Sequence, residues 1–400
     1  MRLVFAITPR CGSRAVNSQI ASVAVLPEPF ALLAAVLRGE DPAYPASADS
    51  AYEARLLQVS AAHGVDALLD DRLASVGAAR GWPDLILDRF RTTAIKQAAV
   101  ELAREHELRA LLDRFGRDGV NPILLKGTPL AYSLYPQPQL RPRCDTDILI
   151  PVEQRVLAER ALRECGHRTP LVAGGAIASY QRCYTKCTTI GIDHVVDLHW
   201  RASNRQLFAQ ALTYGELASS SIRIPALGPV AKAPNPLYAL LLALIHRIAH
   251  LPERIDGLAE SQANRLIWLY DIHLLAEALS EDDWRRLIDL ANRKGLRSLC
   301  ADGLRMTQRH LHTAIPEAVL RALSAAGDKE LSARYLRPSR AGLALAELRA
   351  LPTWGERVQL VKDWFLPPAE YMLHKYRQSN RWLLPWLYLR RVSGGLMRRR

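Results

Sequence analysis

The feature that most constrains this chain is a pair of carboxylates at the start of an apolar, β-like run. Asp145 and Asp147 lie two residues apart in the stretch Arg-Pro-Arg-Cys-Asp-Thr-Asp-Ile-Leu-Ile. On a strand, side chains two apart point to the same face, and two carboxylates on one face repel each other unless a cation lies between them. Mg²⁺ takes oxygen ligands and often shares them with phosphates. The pair therefore predicts a magnesium site used in phosphoryl or nucleotidyl transfer.

The pattern of apolar residues divides the chain into predicted regions. Residues 1–27 carry no strong period and form an N-terminal extension, and residues 28–118 show helical spacing. Residues 119–232 alternate short apolar runs with helical stretches in the order β–α–β–α–β–β, and residues 233–400 return to helices with a basic tail. The predicted fold class is α+β: a small mixed sheet with helices, flanked by N-terminal and C-terminal all-helical regions.

Two further features lie in the predicted α+β region. Gly127 and Thr128 lie between an apolar run and a predicted helix, where the backbone can approach a phosphate and the threonine hydroxyl can donate to it. Asp197 lies in the run Val195-Val-Asp-Leu-His-Trp, where burial of a carboxylate without a partner would be costly. A neighbouring strand would bring Asp197 to the face that carries Asp145 and Asp147.

A glycine-threonine turn, a strand with Asp-x-Asp and a third aspartate on a later strand resemble the polymerase-β-type nucleotidyltransferase superfamily. The central stretches are more specifically similar to the bacterial family of uncharacterised nucleotidyltransferases, and the resemblance covers roughly residues 28–395. The stretches are Leu125-Lys-Gly-Thr-Pro-Leu-Ala, Leu134-Tyr-Pro, Arg141-Pro-Arg-Cys-Asp-Thr-Asp-Ile-Leu-Ile and Val196-Asp-Leu-His-Trp. Unlike most of the superfamily, this chain places a proline-rich insert between Gly127 and Asp145, which fits the bacterial family.

The resemblance implies a nucleotidyltransferase palm domain that moves an NMP from an NTP, ATP foremost, to a hydroxyl of an unidentified acceptor. Pyrophosphate would leave, and the acceptor could be a small molecule, a sugar, a peptide, a protein or an RNA end. Asp145, Asp147 and Asp197 would hold two Mg²⁺, with Mn²⁺ as an alternative, and Asp197 would also act as base. The nucleotide-binding residues implied are Lys126, Gly127, Thr128, Arg141 and Arg143.

Other functions stay open at this stage. The chain could be a non-catalytic nucleotide- or nucleic-acid-binding regulatory module, or a kinase-like phosphotransferase that uses the same carboxylates. Residues 371–400 hold eight Lys or Arg and no acid, and aromatics interleave with them from Trp364 to Tyr388. Stacking of bases on such aromatics is a nucleic-acid device, but aromatics at this spacing are more often core. Nucleic acid is therefore not the favoured partner.

Metal sites built on cysteine or histidine are weaker hypotheses. Cys183 and Cys187 have a C-x₃-C spacing with His194 and His199 downstream, which allows a zinc site, but no second cysteine pair supports it. Scattered core or surface residues are the favoured interpretation. The apolar runs are too short for a signal peptide or a membrane span, so the sequence predicts a cytoplasmic protein.

The C-terminal helices hold two further polar pairs. His246 and His250 lie four residues apart on a predicted helix, and without an acidic partner a polar packing face is favoured over a metal pair. Asp271 and Arg265 are predicted to form a structural or substrate-pocket pair rather than a catalytic one.

Overall fold

A mixed sheet carries two of the predicted carboxylates. Its strands are β1 (Ile123–Leu125), β2 (Thr146–Leu149), β3 (Gln181–Cys187) and β4 (Asp193–His199), in the spatial order β1-β2-β4-β3. β2 and β4 run parallel to each other, whereas β1 and β3 pair antiparallel with them. The β2–β4 register places Asp147 directly beside Asp197, so the two carboxylates lie on neighbouring strands of the sheet.

Helices surround the sheet in the computed structural model, which describes residues 26–76, 81–169, 179–325, 330–337 and 339–397. The predicted extension, residues 1–27, lies almost wholly outside the described residues. The helices before β1 are α1 (Pro29–Leu37), α2 (Ser50–His63), α3 (Asp66–Val76) and α4 (Asp84–Arg117). Those between β1 and the β5–β6 hairpin (Ile222–Arg223 with Lys232–Ala233) are α5 (Gly127–Ser133), α6 (Arg155–Glu164), α7 (Gln206–Ala209) and α8 (Tyr214–Ser219).

The chain after β6 is helical throughout its described part. Its first helices, which pack near the sheet, are α9 (Pro236–Ala249), α10 (Leu266–Glu277), α11 (Glu281–Lys294), α12 (Arg297–Leu311) and α13 (Glu317–Ser324). The C-terminal helices are α14 (Arg340–Ala350), α15 (Trp354–Phe365), α16 (Ala369–Lys375) and α17 (Leu384–Met397). A predominantly helical chain with a small mixed sheet agrees with the predicted α+β class.

Local sequence signals set the ends of several helices. The Asp49 side chain accepts from the Tyr52 N–H to start α2, and Gly64 ends this helix at a φ of 70°, a region that glycine enters without steric cost. Ser280 and Asp283 form a reciprocal capping box at the start of α11. Such caps contribute about 1 kcal/mol each and fix where the chain leaves a helix.

The two faces of the sheet pack against different helices. Leu125 and Leu149, on the face that carries Asp147, join a core with α9–α13, whereas Ile148 and Val196 on the opposite face join α4 and α6. A third apolar cluster packs α1–α4 against α10. Each fully buried aliphatic side chain contributes roughly 1.5–3 kcal/mol. These contacts cross the predicted borders at 118/119 and 232/233 and hold the carboxylate face against α9; the domain borders themselves stay a prediction.

Candidate active site

The centre of the site is formed by side chains on one face of β2 and β4. Because successive strand residues alternate between faces, Asp197 and His199 share the face that Asp147 occupies on the adjacent strand. One ligand atom from each of these three residues lies within 4.8 Å of the others. Asp145 lies just before β2 and is half-buried. Burial, together with the charge of Asp147, raises the pKa of Asp145 to about 6.

Asp147 is the most firmly held of these carboxylates. Its Oδ1 accepts a hydrogen bond from Lys126 Nζ at 2.5 Å and lies 2.8 Å from His199 Nε2. Because a carboxylate only accepts, His199 donates through Nε2–H. Burial alone would raise the pKa of Asp147, but Lys126 and His199 hold this pKa well below its ordinary value. Asp147 is therefore an anion whose orientation is fixed from two sides.

Lys126 is brought to the carboxylates by an unusual backbone conformation. Its φ is 56°, in a region that side-chain-bearing residues rarely adopt, and such conformations persist where the surrounding structure enforces them. Burial disfavours the ammonium, but the charges of Asp147, Asp145 and Asp197 together raise the pKa of Lys126. Lys126 thus stays protonated beside the predicted carboxylates.

Asp197 is held from the neighbouring edge strand. Its Oδ2 accepts from Gln181 Nε2 at 2.6 Å, and its exposed fraction is 9%. Cys183 is its partner residue across the β3–β4 ladder. Burial, and then the nearby Asp197 charge, raise the pKa of the Cys183 thiol to about 11. This sulfur is therefore a protonated neighbour of Asp197 rather than a thiolate ligand.

The donor atoms of the cluster fit a hard divalent cation. The carboxylates of Asp147 and Asp197 converge with His199, whose Nε2 is already engaged by Asp147, whereas Asp145 lies outside this converging set and acts on Lys126 through its charge. Oxygen-rich, negatively charged sets of this kind suit Mg²⁺ or Mn²⁺. Within the described part of the chain, Asp147, Asp197 and His199 are the only group of three or more His, Cys, Asp or Glu whose ligand atoms converge.

The zinc hypothesis on cysteines is not supported by these positions. Cys187 pairs across the β3–β4 ladder with Asp193, and Cys183 with Asp197. His194 instead contacts His167, with 3.1 Å between Nδ1 and Nε2, and these side chains do not converge on one point among the described residues.

Arg141 and Arg143 are buried rather than solvated. Arg141 donates through Nε to Asp271 Oδ1 at 2.8 Å and through Nη2 to Asp271 Oδ2 at 2.6 Å. Arg143 forms a buried ion pair with Glu101. Both guanidinium groups are thus paired with internal carboxylates, and their predicted contact with phosphate stays a prediction. The ion-pair partner of Asp271 is Arg141, not Arg265 as the sequence suggested.

Gly127 and Thr128 lie at the start of α5, next to Lys126. A Cβ atom on Gly127 would come within 3.3 Å of the Arg141 guanidinium, so the close backbone approach that glycine permits here is to an arginine. Thr128 is buried, and its Oγ1 has no hydrogen-bond partner among the described residues. Their predicted phosphate contacts are neither supported nor excluded by these positions.

A cavity of about 150 Å³ adjoins the carboxylates on the side of α5, α9 and α10. The residues that line it include Lys126, Arg141, His246, Trp268 and Asp271. The His246 ring packs edge-on against Trp268, with 4.5 Å between ring centroids, and His250 packs on both rings. The two histidines thus pack with Trp268, while His250 Nδ1 also lies 2.7 Å from Glu253 Oε2 and His246 also faces the cavity.

Several of these site residues were not predicted from the sequence. His199 lies two positions after Asp197, and this strand spacing is a signal that could have placed it on the same face. His246 and Trp268 had no such signal, because their meeting depends on the packing of α9 against α10.

The C-terminal aromatics lie elsewhere and do not form a core. None of the described side chains in this set is buried, and Trp382 and Trp386 are 90% and 53% exposed. The core interpretation is therefore wrong for Trp382 and Trp386, whereas the other four aromatics, Trp364, Tyr371, Tyr376 and Tyr388, are partly buried. The final three arginines, 398–400, lie outside the described residues.

The chain as a whole was compared with known proteins. A family model described as "Uncharacterised nucleotidyltransferase" matches residues 49–312, a span that exceeds half of the chain and holds the sheet, the carboxylates and α9–α12. Searches of the curated proteins and of the solved structures returned no match. No helix in the described residues is long and apolar enough to cross a membrane.

Proposed function

Because the chain belongs to the family of uncharacterised nucleotidyltransferases, we propose that it transfers an NMP from an NTP, ATP foremost, to a hydroxyl of an acceptor. Pyrophosphate is the second product. The observation that carries this proposal is the pairing of Asp147 with Asp197 across β2 and β4, beside Lys126. Carboxylates on one strand face with an adjacent cation are what transfer at a phosphorus centre requires.

In this proposal Asp145, Asp147 and Asp197 hold the divalent cations, Mg²⁺ or Mn²⁺. When bound, these ions supply charge stabilisation at the reacting phosphate and a Lewis-acidic contact for the attacking oxygen. The fit rests on the donor atoms: converging carboxylate oxygens, negative charge in excess and no thiolate.

The remaining roles belong to side chains of the chain itself. His199 orients Asp147 through its Nε2–H. Lys126 neutralises charge beside Asp147, and we propose that it contacts a nucleotide phosphate as a point charge. Asp197, held by Gln181, accepts the proton of the acceptor hydroxyl.

The other residues predicted to bind the nucleotide form two groups with different surroundings. Gly127 and Thr128 stay candidates for phosphate contact at the start of α5. We infer that Arg141 and Arg143 stabilise the fold through Asp271 and Glu101, and that Arg143, whose Nε and Nη2 have no hydrogen-bond partner among the described residues, stays a candidate for phosphate contact. A cytoplasmic location is part of the proposal, since NTPs are supplied there.

The test uses ATP labelled either at the α or at the γ phosphorus, with Mg²⁺ and a broad set of hydroxyl acceptors. We expect the wild type to transfer the α label with release of pyrophosphate, and Asp147→Asn to lose this transfer. Asp193→Asn makes the same chemical change at the exposed start of β4, outside the cluster, and is the matched control.

The same assay separates the other functions. Transfer of the γ label with release of ADP would identify a phosphotransferase. Binding of Mg-ATP without transfer to any acceptor would identify a non-catalytic module. Equal transfer by wild type and Asp147→Asn would show that the chemistry does not use this site.

A further inference from the structure

The cavity beside the carboxylates has walls that are mainly apolar. Side chains of α5, α9 and α10 form most of them, and residues of the β5–β6 hairpin complete the lining. The apolar residues include Leu130, Leu134, Ile222, Leu242 and Leu275. A cavity of about 150 Å³ lined by such residues is large enough for one benzene-sized ring. The space thus matches a ring or a branched aliphatic group rather than a hydrated, highly polar one.

The polar side chains of the lining are mostly satisfied by one another. Arg141 and Asp271 form a bidentate pair, and Lys126 is bonded to Asp147. Within the described residues, His246 and Trp268 line the cavity without a hydrogen bond from their ring nitrogens to another side chain or to the backbone. Burial, and then the charge of Lys126, hold the pKa of His246 well below its ordinary value, so its imidazole is neutral.

This set of polar groups argues against a nucleobase as the occupant. A base edge carries several donors and acceptors, and each one that is buried without a partner weakens binding. The open uncharged partners that the cavity offers are the rings of two residues, His246 and Trp268. A ligand group with no charge and at most two hydrogen bonds fits these walls.

The cavity and the carboxylates meet at Lys126. This residue lines the cavity, and its Nζ lies 2.5 Å from Asp147 Oδ1. Although burial and Lys126 outweigh it, the charge of Asp147 also acts to raise the pKa of His246. A group seated in the cavity therefore places its substituent next to the carboxylates that hold the reacting hydroxyl in the proposed function.

We propose that this cavity binds the body of the acceptor, an uncharged aromatic or branched aliphatic group that carries the hydroxyl to Asp147 and Asp197. This inference rests on the proposed nucleotidyl transfer and names the chemical class of its acceptor. His246 donates or accepts the one hydrogen bond that orients the group, and Trp268 provides a flat wall.

The probe is p-cresol, a single ring with one hydroxyl, titrated into the full-length protein by calorimetry. Ala243→Phe places a ring in the cavity from α9, and we expect it to weaken p-cresol binding at least tenfold. Ala278→Phe makes the same change at the exposed end of α10 and is expected to bind as the wild type does.

Binding that is absent in the wild type, or that is equal in the wild type and Ala243→Phe, overturns the inference. Mg-ATP binding by Ala243→Phe verifies that this variant is folded. If it does not fold, Ala239→Leu, one turn earlier on α9, narrows the same space and is expected to weaken binding in the same direction.

The acceptor assay separates this inference from the proposed function. Loss of transfer in Asp147→Asn together with an unchanged preference for aromatic over sugar alcohols in Ala243→Phe would remove the cavity's role and leave the proposed function standing. Binding of p-cresol by the wild type together with normal transfer by Asp147→Asn would exclude the proposed function at these carboxylates and leave the cavity as a binding site.

Discussion

Residues 141–147 hold buried charges of two contrasting kinds. Arg141 and Arg143 each meet one carboxylate, Asp271 and Glu101, and a tyrosine hydroxyl completes each pair. Asp147, a few residues on, lies with Asp145 and Asp197 beside one lysine. The arginine pairs are balanced one to one, whereas the carboxylate cluster has negative charge in excess.

This difference separates structural charges from functional ones. A buried charge is costly unless it is paired, and removing one partner of a closed pair exposes the whole cost. Each arginine pair joins one guanidinium to one carboxylate and so fixes the loop between α5 and β2, and Arg143 Nε and Nη2 have no hydrogen-bond partner among the described residues. The carboxylate cluster is balanced only when further positive charge is added, which is the property of a cation site.

The largest expected effect is the loss of transfer when one carboxylate of the cluster is removed. Asp147→Asn removes the carboxylate that Lys126 and His199 orient, and we expect transfer to fall by about 10⁴-fold or more, ~5.5 kcal/mol of transition-state stabilisation. The folded state should also lose some stability, because Asp147 is the ion-pair partner of Lys126 and its contacts hold its pKa below the ordinary value. Steady-state kinetics and urea unfolding measure the two effects, with Asp193→Asn as control; a large loss of stability with little loss of rate would reverse the assignment.

The second-largest expected effect is a loss of stability when one of the arginine pairs is broken. Asp271→Asn keeps the shape of the side chain but leaves the Arg141 guanidinium buried without a counter-charge, so we expect the free energy of unfolding to fall by about 3 kcal/mol. Urea unfolding measures the change. Asp282→Asn is a matched control, because Asp282 and Arg285 form an ion pair in which the side chains are 68% and 72% exposed, and its loss should cost much less. A loss below about 1 kcal/mol at Asp271 would mean that the pair is not structural.

A smaller effect tests whether His199 acts through Asp147. His199→Leu removes the donor, and we expect cation affinity and transfer to fall about 10- to 100-fold, the usual range for residues that orient a ligand. His199→Gln keeps an N–H donor and should restore most of the loss. Manganese titration and kinetics follow both variants. Equal defects in the two would show that packing, not the hydrogen bond, is what His199 provides.

The sequence rules that succeeded here are local. The short apolar and β-branched runs correctly predicted strands at Asp147 and Asp197, because strand preference depends on neighbouring residues. The side-by-side register of the two strands is a tertiary property, since α6 and β3 intervene in the chain. The pairing of Arg141 with Asp271 spans 130 residues, and the spacing of residues along the chain holds no signal for it.

The cavity could not be predicted from the sequence either, because it too depends on tertiary contacts. His246 and Trp268 lie on different helices, and each fits an ordinary packing face when considered alone. The prediction of a core position was wrong for two C-terminal aromatics. Trp382 and Trp386 have the spacing of core residues, but both are exposed. Periodicity predicts which residues share a face and not what that face meets.

The smallest expected effect concerns a buried pair that carries no charge. His167 and His194 contact each other beneath β4, and burial lowers their pKa values to about 4 and about 3, with Lys186 and other cations acting in the same direction. The unfolded chain binds protons near the ordinary value of 6.5 while the folded one does not, so stability is lost as pH falls below 6.5. We expect a loss of about 1 kcal/mol between pH 7 and pH 6.

Urea unfolding across this pH range tests the histidine pair, with a His167→Gln, His194→Gln double variant for comparison. The double variant should show a flatter dependence on pH. The same slope in both proteins would assign the pH dependence to other groups.

The most direct measurement of the contrast between the two kinds of buried charge is Mn²⁺ binding followed by electron paramagnetic resonance, with a non-hydrolysable ATP analogue present. We predict that the wild type, Asp193→Asn and Glu101→Gln bind Mn²⁺ alike where they fold, and that Asp147→Asn and Asp197→Asn bind at least about tenfold more weakly. Equal Mn²⁺ affinity in the wild type, Asp147→Asn and Asp197→Asn would contradict a cation site at these carboxylates.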